Sequence, residues 1–303
     1  MAVVVVDKRL EELVDVNVKV EQIATGCVFT EGPIWHSKEQ TLIFSDVRTG
    51  IMRRWTEAGG VTIFRESEQS HIGNGNTYTR EGVLLTCEHA GRQVSRTFPD
   101  GRYETLVDHY QPGVRLNSPN DVIVASNGDV LFTDPFYGLR QPDGSIAGNE
   151  YPFPGVFRYT PSTGALKLLA DDFQAPNGLA LTADERTMYI CDTSRQHIRA
   201  FDVAADYSLS NSRIFCEAKH GDAAGRPDGM KLDARGNVYL AANSPEGIWV
   251  FSPEGDLLGF IGVGESPANL AWGGDDWQTM FVTAQTSVYR LRIKVPGQPV
   301  VIN

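Results

Sequence analysis

Apolar residues along this chain fall in short runs separated by clusters of Gly, Asn, Asp and Pro, and the same order of runs recurs. The stretch from Asn177, NGLALTADERTMYICDTSRQHIRAFDV, sets a short apolar run, a polar turn, a second run, another turn and a third alternating run. The stretch from Asp228, DGMKLDARGNVYLAANSPEGIWVFSP, repeats that order, and related stretches start at Gly32, Gly75, Asn120 and Ala268. Runs of this length, rich in Val, Ile, Tyr, Phe and Trp and bounded by turn formers, predict β-strands. No long amphipathic helical pattern interrupts them.

Each unit opens on a marked position, at residues 31, 74, 120, 177, 228 and 268, so the period is 40 to 57 residues. A period of that size is typical of a four-stranded propeller blade. The pattern therefore predicts an all-β fold, a six-bladed β-propeller forming a single domain over 1–303, with an N-terminal extension at 1–15, the propeller at 16–293 and a C-terminal tail at 294–303. The longest interval contains the Pro/Gly-rich stretch Tyr137 to Pro154, expected as a loop inserted between strands over one face. The sixth unit supplies only three strands, ending at Ile293, and the alternating run Val16 to Glu21 is expected to add the outer strand that closes it. A jelly roll is the rival all-β architecture, but it does not generate six similar units.

In a propeller the innermost strand of each blade lines a central channel, and the opening position of each unit precedes that strand. Glu31, Asn74, Asn120, Asn177, Asp228 and Ala268 are thus expected to ring one mouth of the channel, with Ala268 leaving a gap. Asn-Gly and Asp-Gly pairs ordinarily just make turns. Glu31 has no such turn preference yet holds the same repeat position, which favours a ligand ring. Two carboxylates and two amide oxygens, from Glu31, Asp228, Asn120 and Asn177, suit one hard divalent cation, with Ca2+ first and Mg2+, Mn2+, Zn2+ or Fe2+ as alternatives.

Composition narrows the partners. Hydrophobic residues make up 41% of the 303 and charged residues 21%, enough apolar mass for a sizeable core. A formal net charge of -11 without a Lys/Arg cluster disfavours nucleic acid. Cys27, Cys87, Cys191 and Cys216 lack CxxC spacing and are expected as buried thiols. The N-terminal sequence MAVVVVDKRLEEL has no basic segment or cleavage site, and no apolar stretch is long enough to span a bilayer. A cytoplasmic protein with no membrane partner is expected, and a homo-oligomer stays open.

Several motifs together resemble the gluconolactonase/regucalcin-like family, also called the senescence marker protein family: Glu31-Gly32-Pro33-Ile34-Trp35, Cys87-Glu88-His89, Arg115-Leu116-Asn117-Ser118-Pro119-Asn120-Asp121, Phe132-Thr133-Asp134-Pro135, Pro176-Asn177-Gly178 and Pro227-Asp228-Gly229. The resemblance runs from about Val16 to Ile293. It implies a six-bladed propeller with a divalent metal on its axis and hydrolysis of a sugar lactone, a small-molecule substrate of carbohydrate metabolism. Glu31, Asn177 and Asp228 match the family's metal ligands, and Asn120 matches a residue that ligates or borders the metal. Where some members carry a sugar-binding Arg, this chain has Ser118, and Arg115 is the nearest substitute.

A metal that polarises a lactone carbonyl stabilises the tetrahedral oxyanion, and Asp228 is the expected base for the attacking water. Asn74, His89, Arg115, Asp134 and Tyr137 are the candidate substrate contacts. His71 and His109, in polar loops, could each reach a sugar hydroxyl, while Arg92 could simply brace a turn. Phe136, Phe153 and Tyr159 are aromatic neighbours of the insertion that would suit sugar stacking, although strand packing is the commoner use of such rings. Two other functions compete: a phosphotriesterase or arylesterase using the same site, and a non-catalytic calcium-binding propeller.

Overall fold

A computed structural model describes residues 3–245 and 247–303. The chain forms six antiparallel blades of a propeller. Blade one consists of Thr30–His36, Thr41–Asp46, Ile51–Thr56 and Gly60–Arg65, and blade two of Gly73–Tyr78, Leu84–Glu88, Gln93–Thr97 and Tyr103–Val107. Blade three runs through Val122–Val124, Val130–Asp134, Gly155–Thr160 and Ala165–Ala170, and blade four through Pro176–Leu181, Thr187–Asp192, His197–Val203 and Leu209–Glu217. Blade five contains Met230–Leu232, Val238–Ala241, Ile248–Phe251 and Leu257–Ile261, and blade six Pro267–Gly273, Thr279–Ala284 and Ser287–Arg292. Among the described residues the only α-helix is one turn, Ser67–Ser70, and no helix is long and apolar enough to cross a membrane.

The ring closes as expected, through a different segment. Glu21–Ala24, not Val16 to Glu21, pairs with Ser287–Arg292, setting Glu21 opposite Arg290 and Ala24 opposite Val288. The alternation ahead of it is interrupted because Asp15 accepts a hydrogen bond from the Asn17 amide at 2.8 Å and makes a turn, while Val18 and Val20 pack against the core. The residues before Asp15 also do more than extend the chain. Val3–Val5 adds a fifth strand to blade five, and the 3-10 helix Lys8–Glu12, capped by Asp7, buries Leu10 beneath it.

The core lies between blade faces, because each sheet is apolar on both sides. Trp35 stacks on Phe281 at 5.1 Å between blades one and six, and Tyr239 meets Trp272 edge-on at 5.1 Å between blades five and six. Burying side chains of this size stabilises the fold by about 1.5–3 kcal/mol each. All four cysteines are free and buried within these layers, as expected. At the end of the channel away from residues 31 and 228, the tail runs from Gly297, bridged to Asp233, to Asn303, whose amide donates to the Arg80 carbonyl.

Candidate functional site

Each inner strand begins within two residues of its marked residue, and in four blades the ladder shifts register there: between Glu31 and Ile34, Gly73 and Asn76, Pro176 and Leu179, and Pro267 and Asn269. A bulge bends the strand and re-aims a side chain, which turns these residues toward the channel axis. In blades one, two, four and five the following residue is glycine, and the blades approach closely there. A Cβ on Gly178 would lie 2.4 Å from the Asp228 carbonyl oxygen, and one on Gly229 would lie 2.0 Å from the Asn269 side chain. Backbone bonds stitch neighbouring blades at this level, from the Gly75 amide to the Asn120 oxygen and from the Gly178 amide to that of Asp228.

Glu31, Asn74, His89, Asn120, Tyr137, Asn177 and Asp228 all line one cavity of about 750 Å³ at this mouth. Apart from half-buried Tyr137 they are buried. Their polar atoms form a chain. Asn74 Nδ2 donates to Asn120 Oδ1 at 2.5 Å and lies 2.9 Å from His89 Nε2. Asn120 Nδ2 donates to Asn177 Oδ1 at 2.6 Å, and Asn177 Nδ2 donates to Thr193 Oγ1 at 3.1 Å and to the Tyr137 hydroxyl at 3.4 Å. Glu31 Oε2 accepts from the Gly32 amide at 2.6 Å and from Asn269 Nδ2 at 3.0 Å.

Electrostatics at the floor are dominated by desolvation. Burial pushes the Glu31 carboxyl up to about 7, opposed by its bonds from Gly32 and Asn269. Asp228 is raised well above the carboxylate range by burial, and next by the Glu31 carboxyl it faces. Two buried carboxylates this close cannot both ionise without a compensating cation. His89 is pulled down to about 4 by burial, so its ring is neutral at pH 7. Among the described residues no three His, Cys, Asp or Glu side chains cluster as a metal site would require if it used those types alone. The oxygen set here is two carboxylates supplemented by amides.

Two expected substrate contacts lie elsewhere. Asp134 is buried beneath the site, accepting from the amides of Asn117 at 2.8 Å and Ser118 at 2.7 Å and from the Tyr151 hydroxyl, so its oxygens are committed to shaping the segment that carries Asn120. Arg115 donates to the Gly91 carbonyl, and its own amide is held by Glu150 at 2.7 Å. Arg92 braces the same loop through the Leu116 carbonyl at 2.7 Å. His109 pairs with Asp108 at 2.7 Å, His71 packs near Tyr103, and Phe153 packs on Tyr151, all off the cavity lining. Of the insertion's aromatic rings, Tyr137 is the one that lines the cavity.

The lining also contains residues that repeat reasoning did not single out: Arg48, Arg140, Gln141, Arg226, Thr193 and Asn243 among them. Arg48, Arg140 and Arg226 sit in three separate loops with no common repeat position, so spacing carried no signal for them. Thr193 follows Asp192 at the end of a second strand, and its hydroxyl donates to the Pro227 carbonyl while holding Asn177.

The family model for the SMP-30/gluconolactonase/LRE-like region matches residues 29–286. The chain belongs to that family. It is 34% identical to a gluconolactonase of Zymomonas mobilis, over 95% of this chain and 85% of that protein. It is 27% identical to a pentonolactonase of Haloferax volcanii, over 86% of this chain and 83% of the relative. A solved gluconolactonase structure from Xanthomonas campestris superposes with a TM-score of 0.86 at 32% identity, covering 97% of this chain and 95% of its own. The matched span covers all six marked positions from Glu31 to Ala268.

Proposed function

We propose that this family member is a cytoplasmic, metal-dependent hydrolase that opens a sugar lactone. The observation that carries the reading is the convergence of the Glu31 and Asp228 carboxyls with Asn120 and Asn177 on the floor of a sugar-sized cavity. The similarity to lactone hydrolases of two organisms supports the substrate class.

The donor set fits a divalent cation. Burial is the main cause that raises both the Glu31 and the Asp228 carboxyl, and an added positive charge between them would favour their ionised forms. All four donors are oxygens, which favours Ca2+, with Mg2+, Mn2+, Zn2+ or Fe2+ as alternatives. Glu31, Asn120, Asn177 and Asp228 would hold it. Bound there, such an ion supplies Lewis acidity to the lactone carbonyl and stabilises the negative charge that develops on its oxygen.

The chain's own groups do the rest. Asp228, free to ionise once its neighbour's charge is offset, accepts a proton from the water that attacks the carbonyl carbon. When the ring C–O bond breaks, the same carboxyl returns that proton to the departing ring oxygen, leaving a hydroxy acid. His89 stays neutral, and its Nε2, facing the Asn74 amide, orients Asn74 and Asn120 instead of serving as the base. Tyr137, carried by the insertion, covers the site and limits water access.

The test is turnover of δ-gluconolactone by chelator-treated protein, with and without restored Ca2+, beside Asp228→Asn. Loss on chelation, recovery on addition and an inactive but folded variant are expected. Full activity after chelation would overturn metal dependence. Hydrolysis of an aryl ester or phosphotriester with higher kcat/KM would move the substrate class. Metal binding with no turnover of any of these would leave a binding propeller.

A further inference from the structure

Arg48, Arg140 and Arg226 bring three guanidinium groups from three loops to one rim: the turn after the second strand of blade one, the insertion of blade three, and the segment just before Asp228. All three are exposed, and among the described residues none makes a carboxylate pair within 4.0 Å. Among the described residues thirteen of the other seventeen arginines are held in such pairs, as Arg290 is by Glu21 and Glu57. Arg140 reaches only a peptide carbonyl, that of Gly144 at 3.4 Å.

This rim is at odds with the rest of the protein. A chain of net charge -11 repels anions in bulk, and unpaired guanidinium groups around one opening reverse that field locally. The acids of the same cavity, Glu31 and Asp228, lie buried on its floor, where the carbonyl is to react. A ligand spanning floor and rim is thus asked for an electrophilic carbonyl at one end and negative charge at the other. Guanidinium forks suit phosphate, sulfonate or carboxylate oxygens, and the Gln141 and Asn243 amides beside them add neutral donors.

Resting on the lactonase reading, we infer that the preferred substrate is a lactone bearing a second, anionic group far from its carbonyl, recognised by Arg48, Arg140 and Arg226. The comparison that decides it is kcat/KM for δ-gluconolactone 6-phosphate and for a glucarate lactone against neutral δ-gluconolactone, using the full chain in Ca2+ buffer. A preference of about tenfold or more for either anionic lactone, shrinking as salt is raised, is expected. The ratio should fall toward one in the triple Arg→Gln variant and survive in part in the triple Arg→Lys variant. A wild-type ratio of one or less, or a ratio that the Arg→Gln variant keeps, overturns the inference. Calorimetric binding of 6-phosphogluconate against gluconate keeps the two proposals apart. If neither lactone is opened, the lactonase reading fails, while equal binding of these two acids would refute the anion rim and tighter binding of the phosphate, lost in Arg→Gln, would uphold it.

Discussion

Blades one, three and four hold their marked residues differently from blade five. At the end of the second strand, Asp46, Asp134 and Asp192 each accept from two backbone amides lying three and two residues before the marked residue. The pairs are Val28 and Phe29 before Glu31, Asn117 and Ser118 before Asn120, and Gln174 and Ala175 before Asn177. In blade five that position is Ala242, opposite Pro227, and its carbonyl takes the Arg226 amide at 2.5 Å while Gly225 donates to the Ala218 carbonyl. Three arms of the site are therefore clamped by buried carboxylates, and the arm carrying Asp228 is tied by backbone alone. In the proposed mechanism, the group that takes up and returns a proton is on the arm without the clamp.

The largest effect should come from the unclamped arm. Asp228→Ala is expected to lower kcat for lactone opening by about 10²–10⁴, the range for a lost general base, with an unchanged circular dichroism spectrum. Next come the clamps. Asp134→Ala strands two buried amides and the Tyr151 hydroxyl, each unmet group costing about 1–3 kcal/mol, so a loss of about 3–5 kcal/mol in denaturant unfolding is expected. Asp192→Ala should cost somewhat less, because part of its role is to hold the exposed Arg195.

Grafting the clamp onto the other arm should fail. In Ala242→Asp the new carboxylate finds the Gly225 and Arg226 amides already bonded, so destabilisation of about 2–4 kcal/mol is expected, and a gain in stability would undo the contrast. The smallest effect concerns pH. Burial raises Asp134 to about 7 in the folded chain, above its unfolded value, so its contribution is fully present below pH 4 and is lost as pH rises through about 7. Asp134→Asn should flatten that slope in thermal melts run from pH 5 to pH 8.

The marked residues were legible because they repeat: six equivalent positions fix six blades, and Glu31 in a place held by Asn or Asp in four of the other five units points beyond turn chemistry. Of the clamps only Asp134 stood out, in Phe132-Thr133-Asp134-Pro135, and an aspartate that closes a strand reads equally as a site residue, so it was expected at the substrate; Asp46 and Asp192 carry no motif that sets them apart from ordinary strand ends. Arg48, Arg140 and Arg226 lie in loops whose lengths differ from blade to blade, and periodicity cannot bring such residues together. The closing strand was misplaced by five residues because Val16 to Glu21 alternates correctly, while the Asp15 turn that interrupts it depends on a local side-chain bond.

Calorimetric titration of Ca2+ into chelator-stripped protein tests the convergence of Glu31, Asn120, Asn177 and Asp228 most directly. One ion per chain is predicted for the wild type, with binding abolished in Glu31→Gln/Asp228→Asn. Unchanged stoichiometry and affinity in that double variant, or no binding by the wild type to Ca2+ or to Mg2+, Mn2+, Zn2+ or Fe2+ titrated in its place, would contradict it.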